Sequence, residues 1–171
     1  MIRPISFLLL LLLLLLLGCG YHVPGHGGAL PDGVETFYLP LFSNQTLKPR
    51  LENGLTDSIA EAISRIPSAR LVSQEDLADV RVEGTILSYG SSAIAYDSND
   101  TIKEYRAQML AEVKLRKISD GRLVWQNRLA WQGPYLANSD KSLQNDLEEE
   151  AIQELEFRIA EEFLFRLLAD F

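Results

Sequence analysis

The sequence predicts an α+β domain, a two-layer sandwich in which two helices pack on one face of a four- to five-stranded mixed β-sheet. Three observations predict it. Two segments, one opening at Pro49 and one at Leu143, carry apolar residues at helical spacing along a single side. Three segments in the middle of the chain alternate apolar and polar residues with period two, as half-buried strands do. The order is strand, helix, strand, then a three-strand meander, then helix. The first strand-helix-strand unit should cross over right-handedly and pair in parallel, which lets both helices cover one sheet face.

Val34 to Leu41 reads as the first strand, and Phe42 to Lys48 as a loop. Pro49 opens a helix, since proline suits a first turn. Leu51, Leu55, Ile59, Ile63 and Ile66 form its stripe, and Pro67 ends it. Ala69 to Ser73 gives a short strand. Asp79 to Tyr89 alternates, with Val80, Val82, Gly84 and Ile86 on one face, and fades into a polar loop from Gly90 to Asn99. In the strand Tyr105 to Lys117, Ala107, Met109, Ala111, Val113 and Leu115 share a face with Tyr105.

The turn at Ser119-Asp120-Gly121 sets the register of the last strand. A two-residue Asp-Gly loop would oppose Leu115 to Gln126 and mix the faces. A three-residue loop with Gly121 left-handed opposes Leu115 to Trp125, Ala111 to Leu129 and Met109 to Trp131. A slip of one residue would turn every side chain over, so the consistent register is expected, with a strand from about Arg122 to Gln132. Gly133 to Lys141 reads as a loop. The final helix carries a seam of Leu147, Ala151, Leu155, Ile159, Phe163 and Leu167, with Glu148, Glu149 and Glu150 as a solvated, dipole-favoured patch in its first turns. The second sheet face then holds Arg81, Glu83, Gln108, Glu112, Lys114, Arg116, Gln126 and Arg128 and meets water or a polar partner.

The amino terminus changes the compartment. Arg3 precedes an unbroken apolar run from Phe7 to Leu17, followed by Gly18 and Cys19, the only cysteine. A charged start, a short apolar middle and a small residue at the cut make a secretory signal. The run is shorter than the roughly 20 residues a membrane span needs. Residues 1–18 are read as a removed lipoprotein signal peptide, 19–33 as a lipidated tether rich in glycine and proline, and 34–171 as one domain. Acylation of Cys19 would hold the chain on a membrane, since two or more acyl signals anchor stably. Gly20, in place of the aspartate that favours inner-membrane retention, points to the outer membrane and its periplasmic side.

Composition narrows the chemistry. The full chain has a net charge of −8, which does not suit a nucleic-acid partner, whose phosphates call for basic residues. With one cysteine there is no internal disulfide. The two histidines, His22 and His26, both lie in the tether, so neither a metal site nor a histidine triad is expected. The glycines at 25–28 are not followed by a Lys-Ser/Thr pair and do not make a phosphate loop. The chain reads as a binding or assembly component rather than an enzyme, with no cofactor beyond an acyl lipid on Cys19.

Gly18-Cys19-Gly20-Tyr21-His22-Val23 resembles the start of the LPS-assembly lipoproteins, the LptE family. Further resemblances follow in order: Phe42-Ser43-Asn44-Gln45-Thr46 after the first strand, Ala78-Asp79-Val80-Arg81-Val82-Glu83-Gly84, Glu104-Tyr105, Asp120-Gly121 and Trp125. The resemblance implies the same helix-on-sheet fold. It also implies a place within the lumen of an outer-membrane β-barrel, LptD, where the chain acts as a plug, helps the barrel assemble and takes part in placing lipopolysaccharide on the cell surface. A direct contact with that anionic lipid would use Arg106, Lys114, Arg116 or Arg128, which the register places on one sheet face. An ordinary ion-paired face, with Glu112 opposite Arg128, accounts for the same residues. Two other readings stay open. One is an accessory lipoprotein of a different envelope machine. The other is a periplasmic lipid-binding module with an apolar pocket lined by Trp125, Trp131 and Phe163.

Overall fold

The computed structural model describes residues 33–170. The signal peptide, Cys19 and the tether histidines lie outside the described residues. The elements are β1 (Thr36–Tyr38), β2 (Ser43–Asn44), α1 (Leu51–Ser64), β3 (Arg70–Val72), β4 (Val80–Tyr96), β5 (Ile102–Lys117), β6 (Leu123–Leu136) and α2 (Lys141–Ala169), with a 3-10 turn at Glu75–Leu77. The sheet runs β3-β1-β4-β5-β6, and β2 also pairs with β4. β1 is parallel to both β3 and β4, while β4, β5 and β6 are antiparallel. The expected mixed sheet is therefore present, with β2 as an addition inside the segment read as a loop.

The two-period rows meet the two helical stripes in one core. Val80, Val82, Ile86, Ala111, Val113, Leu115 and Leu129 lie beneath Leu55, Ile59, Ile63, Leu155, Ile159, Phe163 and Leu167, all nearly inaccessible. The turn is one residue longer than expected, Ile118 to Gly121 closed by Lys117 N donating to Arg122 O, and a register shift between Leu115 and Arg116 restores the expected pairing. Gly121 is left-handed at φ 69°, and Leu115, Ala111 and Met109 oppose Trp125, Leu129 and Trp131.

Several boundaries differ from expectation. β4 continues through Gly90 to Tyr96, and β6 continues through Gly133 to Leu136, because β5 offers both a ladder partner along its whole length. Backbone pairing with a long neighbour overrides the weak side-chain pattern of Gly90-Ser91-Ser92 and of Gly133-Pro134. Pro134 is tolerated because β6 is an edge strand. α1 begins at Leu51 rather than at Pro49, with Arg50 left-handed at φ 70° before it. α2 begins at Lys141, where the Asp140 carboxylate accepts from the backbone N–H of Ser142 and Leu143.

Two of the segments that carry the family resemblance, 42–46 and 78–84, meet at one junction, where the chain enters the sheet beside β4. Asp79 Oδ2 accepts from Glu35 N (3.0 Å), Thr36 N (2.8 Å) and Thr36 Oγ1 (2.7 Å). These hydrogen bonds hold its carboxyl below the usual range. Asn44 uses both ends of its amide. Nδ2 donates to Lys48 O and Glu52 Oε2, and Oδ1 accepts from Thr46 N and Thr46 Oγ1. The ring of Phe42 lies flat on Gly84, where any side chain would collide with it.

Gly84→Ala should displace the Phe42 ring and lower stability by about 1–3 kcal/mol, the range for overpacking, measured by chemical denaturation. Asp79→Ala should cost about 1 kcal/mol, discounted for its exposure. Because the Asp79 carboxyl is depressed in the folded chain, its contribution is present above the unfolded pKa and is lost as pH falls through the folded one. The difference between Asp79→Ala and the parent should therefore vanish in acid.

Candidate functional site

The sheet face turned away from the helices is polar along its length. Its charges form two linked sets. Arg81 bonds Glu75 (3.0 Å) and approaches Glu83 (3.7 Å), while Arg116 bonds Glu83 (3.2 Å) and the carbonyl of Gly121 (3.3 Å). Glu112 receives Lys114 (2.6 Å), Arg128 (3.2 Å) and the amide of Gln126 (3.0 Å). Hydrogen bonds from Lys114 and Arg128 hold the Glu112 carboxyl below its usual range. The Glu112–Arg128 pair is the one expected from the register.

The four basic candidates therefore share a face but not a situation. Lys114, Arg116 and Arg128 are each matched to a carboxylate. Arg106 is exposed, opposite Pro134 on β6 and Ser92 on β4, and makes no ion pair or hydrogen bond among the described residues. Near it, Ser88, Gln108, Leu110, Ala130 and Gln132 line an open cleft of about 640 Å³. Leu110, which breaks the polar row, lies partly buried there.

Among the described residues, Trp125 and Phe163 lie in the core. They pack edge to face with centroids 5.6 Å apart, and Trp125 Nε1 donates to Asp170 Oδ2 at 2.7 Å. Trp131 sits 41% exposed at the sheet margin beneath Arg158. Trp131 also lines the open cleft on the sheet, with Met109 and Leu110.

Two groups on the helix side were not singled out by sequence reasoning. Glu148 was read with Glu149 and Glu150 as a solvated patch. In the fold it accepts from Tyr89 Oη (2.7 Å) and from Lys48 Nζ (3.0 Å), joining α2 to β4 and to the loop before α1. Burial works against its charge, but the two donors outweigh it and keep the carboxyl below its usual range, while burial and the Glu148 bond push the Tyr89 phenol up. The second group is Glu156, only 6% exposed, whose carboxylate lies over Gly54 of α1. It has no hydrogen-bond or ion-pair partner among the described residues. Burial, then the charges of Glu149 and Asp57, push it up to about 7. Its spacing held the signal: Glu156 stands four residues from both Ile152 and Ala160, inside the apolar side of the helix.

Among the described residues no group of histidine, cysteine or acidic side chains is arranged to hold a metal, and no helix is long and apolar enough to cross a membrane. A family model described as LptE, lipopolysaccharide-assembly, matches residues 34–167. No curated protein matches in sequence. Solved structures share the fold at low identity. Rare lipoprotein B from Shewanella oneidensis is 15% identical with a TM-score of 0.51, covering 75% of this chain and 93% of that one. An uncharacterized lipoprotein B from Nitrosomonas europaea is 15% identical with a TM-score of 0.53, covering 88% and 92%. Protein XCC0632 from Xanthomonas campestris is 12% identical with a TM-score of 0.54, covering 79% and 83%.

Glu156 yields a pH prediction. Its pKa is raised in the folded chain, so folding favours the protonated form. That contribution is complete below the unfolded value of 4.5 and is lost as pH rises through about 7. Glu156→Gln should match the parent in stability in acid. It should exceed it above neutrality by on the order of 1–3 kcal/mol, read from denaturation midpoints across that window.

Proposed function

The chain belongs to the LptE lipopolysaccharide-assembly family, and we propose that it is a lipoprotein anchored through Cys19 in the outer membrane. There it plugs the lumen of the β-barrel LptD, helps that barrel assemble and takes part in placing lipopolysaccharide in the outer leaflet. The role is one of binding and assembly, without catalysis. The observation that carries the reading is the family match across nearly the whole described domain.

The surfaces suit the role. The interior of an outer-membrane barrel is polar, so a plug needs its own dry core and a wettable exterior. The outer sheet face supplies the exterior, and most of its cations are matched to carboxylates within a strand or on a neighbouring element. The apolar residues are spent on the contact between sheet and helices.

For the lipid itself, the four candidates are not equivalent. Lys114, Arg116 and Arg128 would each have to give up a carboxylate to meet a phosphate. Arg106 gives up nothing, and its fork of donors fits phosphate oxygens. Arg106 is therefore the residue expected to contribute most to any direct lipopolysaccharide contact.

Affinity capture of the tagged, lipidated chain from detergent-solubilised outer membranes should bring down one large β-barrel in near-equal amount. Recovery of the chain alone, or with another envelope machine, would contradict the plug role. In a binding assay with purified lipopolysaccharide, Arg106→Glu should weaken association by about tenfold, the scale of one charge-assisted hydrogen bond. Lys114→Gln and Arg128→Gln should each change it less than threefold by the same reasoning.

A further inference from the structure

We propose that the cleft between the two helices receives a basic side chain, the ammonium of a lysine or the guanidinium of an arginine, carried by a partner protein, with the Glu156 carboxylate as its counter-charge. The inference does not require the partner to be a barrel.

Three features of the cleft support it. Glu156 is 94% enclosed by the fold, being 6% exposed, yet it has no donor. Buried carboxylates are ordinarily paired, because an unpaired one carries a large desolvation cost. Second, the carboxylate sits in the room that a missing side chain leaves on α1. Gly54 stands in the interior of α1, where glycine costs about 1 kcal/mol relative to alanine, and any side chain at that position would collide with the carboxylate. Third, the cleft of about 270 Å³ opens between the helices and is lined by Asn53, Gln153 and Glu149 together with Glu156. Liquid water takes about 30 Å³ per molecule, so the end group of a long side chain fits.

Among the described residues, the chain's own cations at the rim do not fill it. Lys48, at the rim, is held by Glu148 at 3.0 Å and lies over the Tyr89 ring. Arg50, also at the rim, is exposed and bonds no carboxylate. Asp57 on α1 and Glu149 on α2 add negative potential around Glu156 and oppose its ionisation. An incoming cation would relieve that opposition, whereas a neutral or acidic group would not.

The test uses the full lipidated chain in detergent micelles, labelled with carbon-13 at glutamate carboxyls and nitrogen-15 at amides. N-acetyl-arginine methylamide and n-butylammonium serve as probes, and N-acetyl-glutamine methylamide as the neutral control. Either cation should give saturable shifts centred on Asn53, Gly54, Gln153 and Glu156 and move the Glu156 titration midpoint down by about one pH unit, a tenfold linkage. Glu156→Gln keeps the shape and removes the charge, and should weaken binding at least tenfold. Shifts of equal size with the neutral control, or unchanged in Glu156→Gln, would overturn the proposal. So would a Glu156 that titrates as an ordinary carboxylate in the free chain and moves upward in Arg50→Ala, because Arg50 would then be its partner.

Discussion

A single sheet face can be dried by two helices, and the rest of the molecule follows from that constraint. The inward rows of β4, β5 and β6 and the stripes of α1 and α2 meet in one layer of aliphatic and aromatic side chains. Burial of this kind contributes roughly 25 cal/mol per Å² of apolar surface, far more than any surface ion pair. Once that layer takes the apolar residues, the opposite sheet face must be polar. Like charges directly opposite are destabilising, and Arg81 and Arg116, which oppose each other in the ladder, both reach Glu83.

The junction at β1, β2 and β4 gives the family's sequence marks a physical meaning. Asp79 fastens the start of β1, Asn44 ties the following loop to α1, and Gly84 makes room for Phe42. These residues fix how the chain enters the sheet at β1 and passes on to α1. They are structural residues, and the surfaces that would meet partners lie elsewhere, on the outer sheet face and between the helices.

Much of this was legible in the sequence because periodicity and turn chemistry report directly on packing. The need to keep apolar residues on one face specified the register from Met109–Trp131 to Leu115–Trp125, and with it the Glu112–Arg128 pair, while the extra loop residue is absorbed by a register shift between Leu115 and Arg116. The ends of β4 and β6 were not legible. Gly90-Ser91-Ser92 and Gly133-Pro134 have no strand pattern of their own and are extended only because β5 pairs with them. Glu148 and Glu156 were hidden for another reason. A run of glutamates on a helix reads as solvated, and only the tertiary fold brings Tyr89 to the first and Gly54 to the second. The four basic candidates were placed correctly on one face, but that three of them would be committed to carboxylates, leaving Arg106 apart, depended on side-chain reach rather than register.

The central claim is that the outer sheet face is the surface this domain presents to a barrel wall. The most direct measurement is site-specific photo-crosslinking in intact cells, with a photoreactive residue placed in turn at Gln108, Gln126 and Arg128. The account predicts adducts from each of these positions to one large outer-membrane β-barrel. Absence of adducts from all three, in cells where the same probe elsewhere on the domain does capture that barrel, would contradict it.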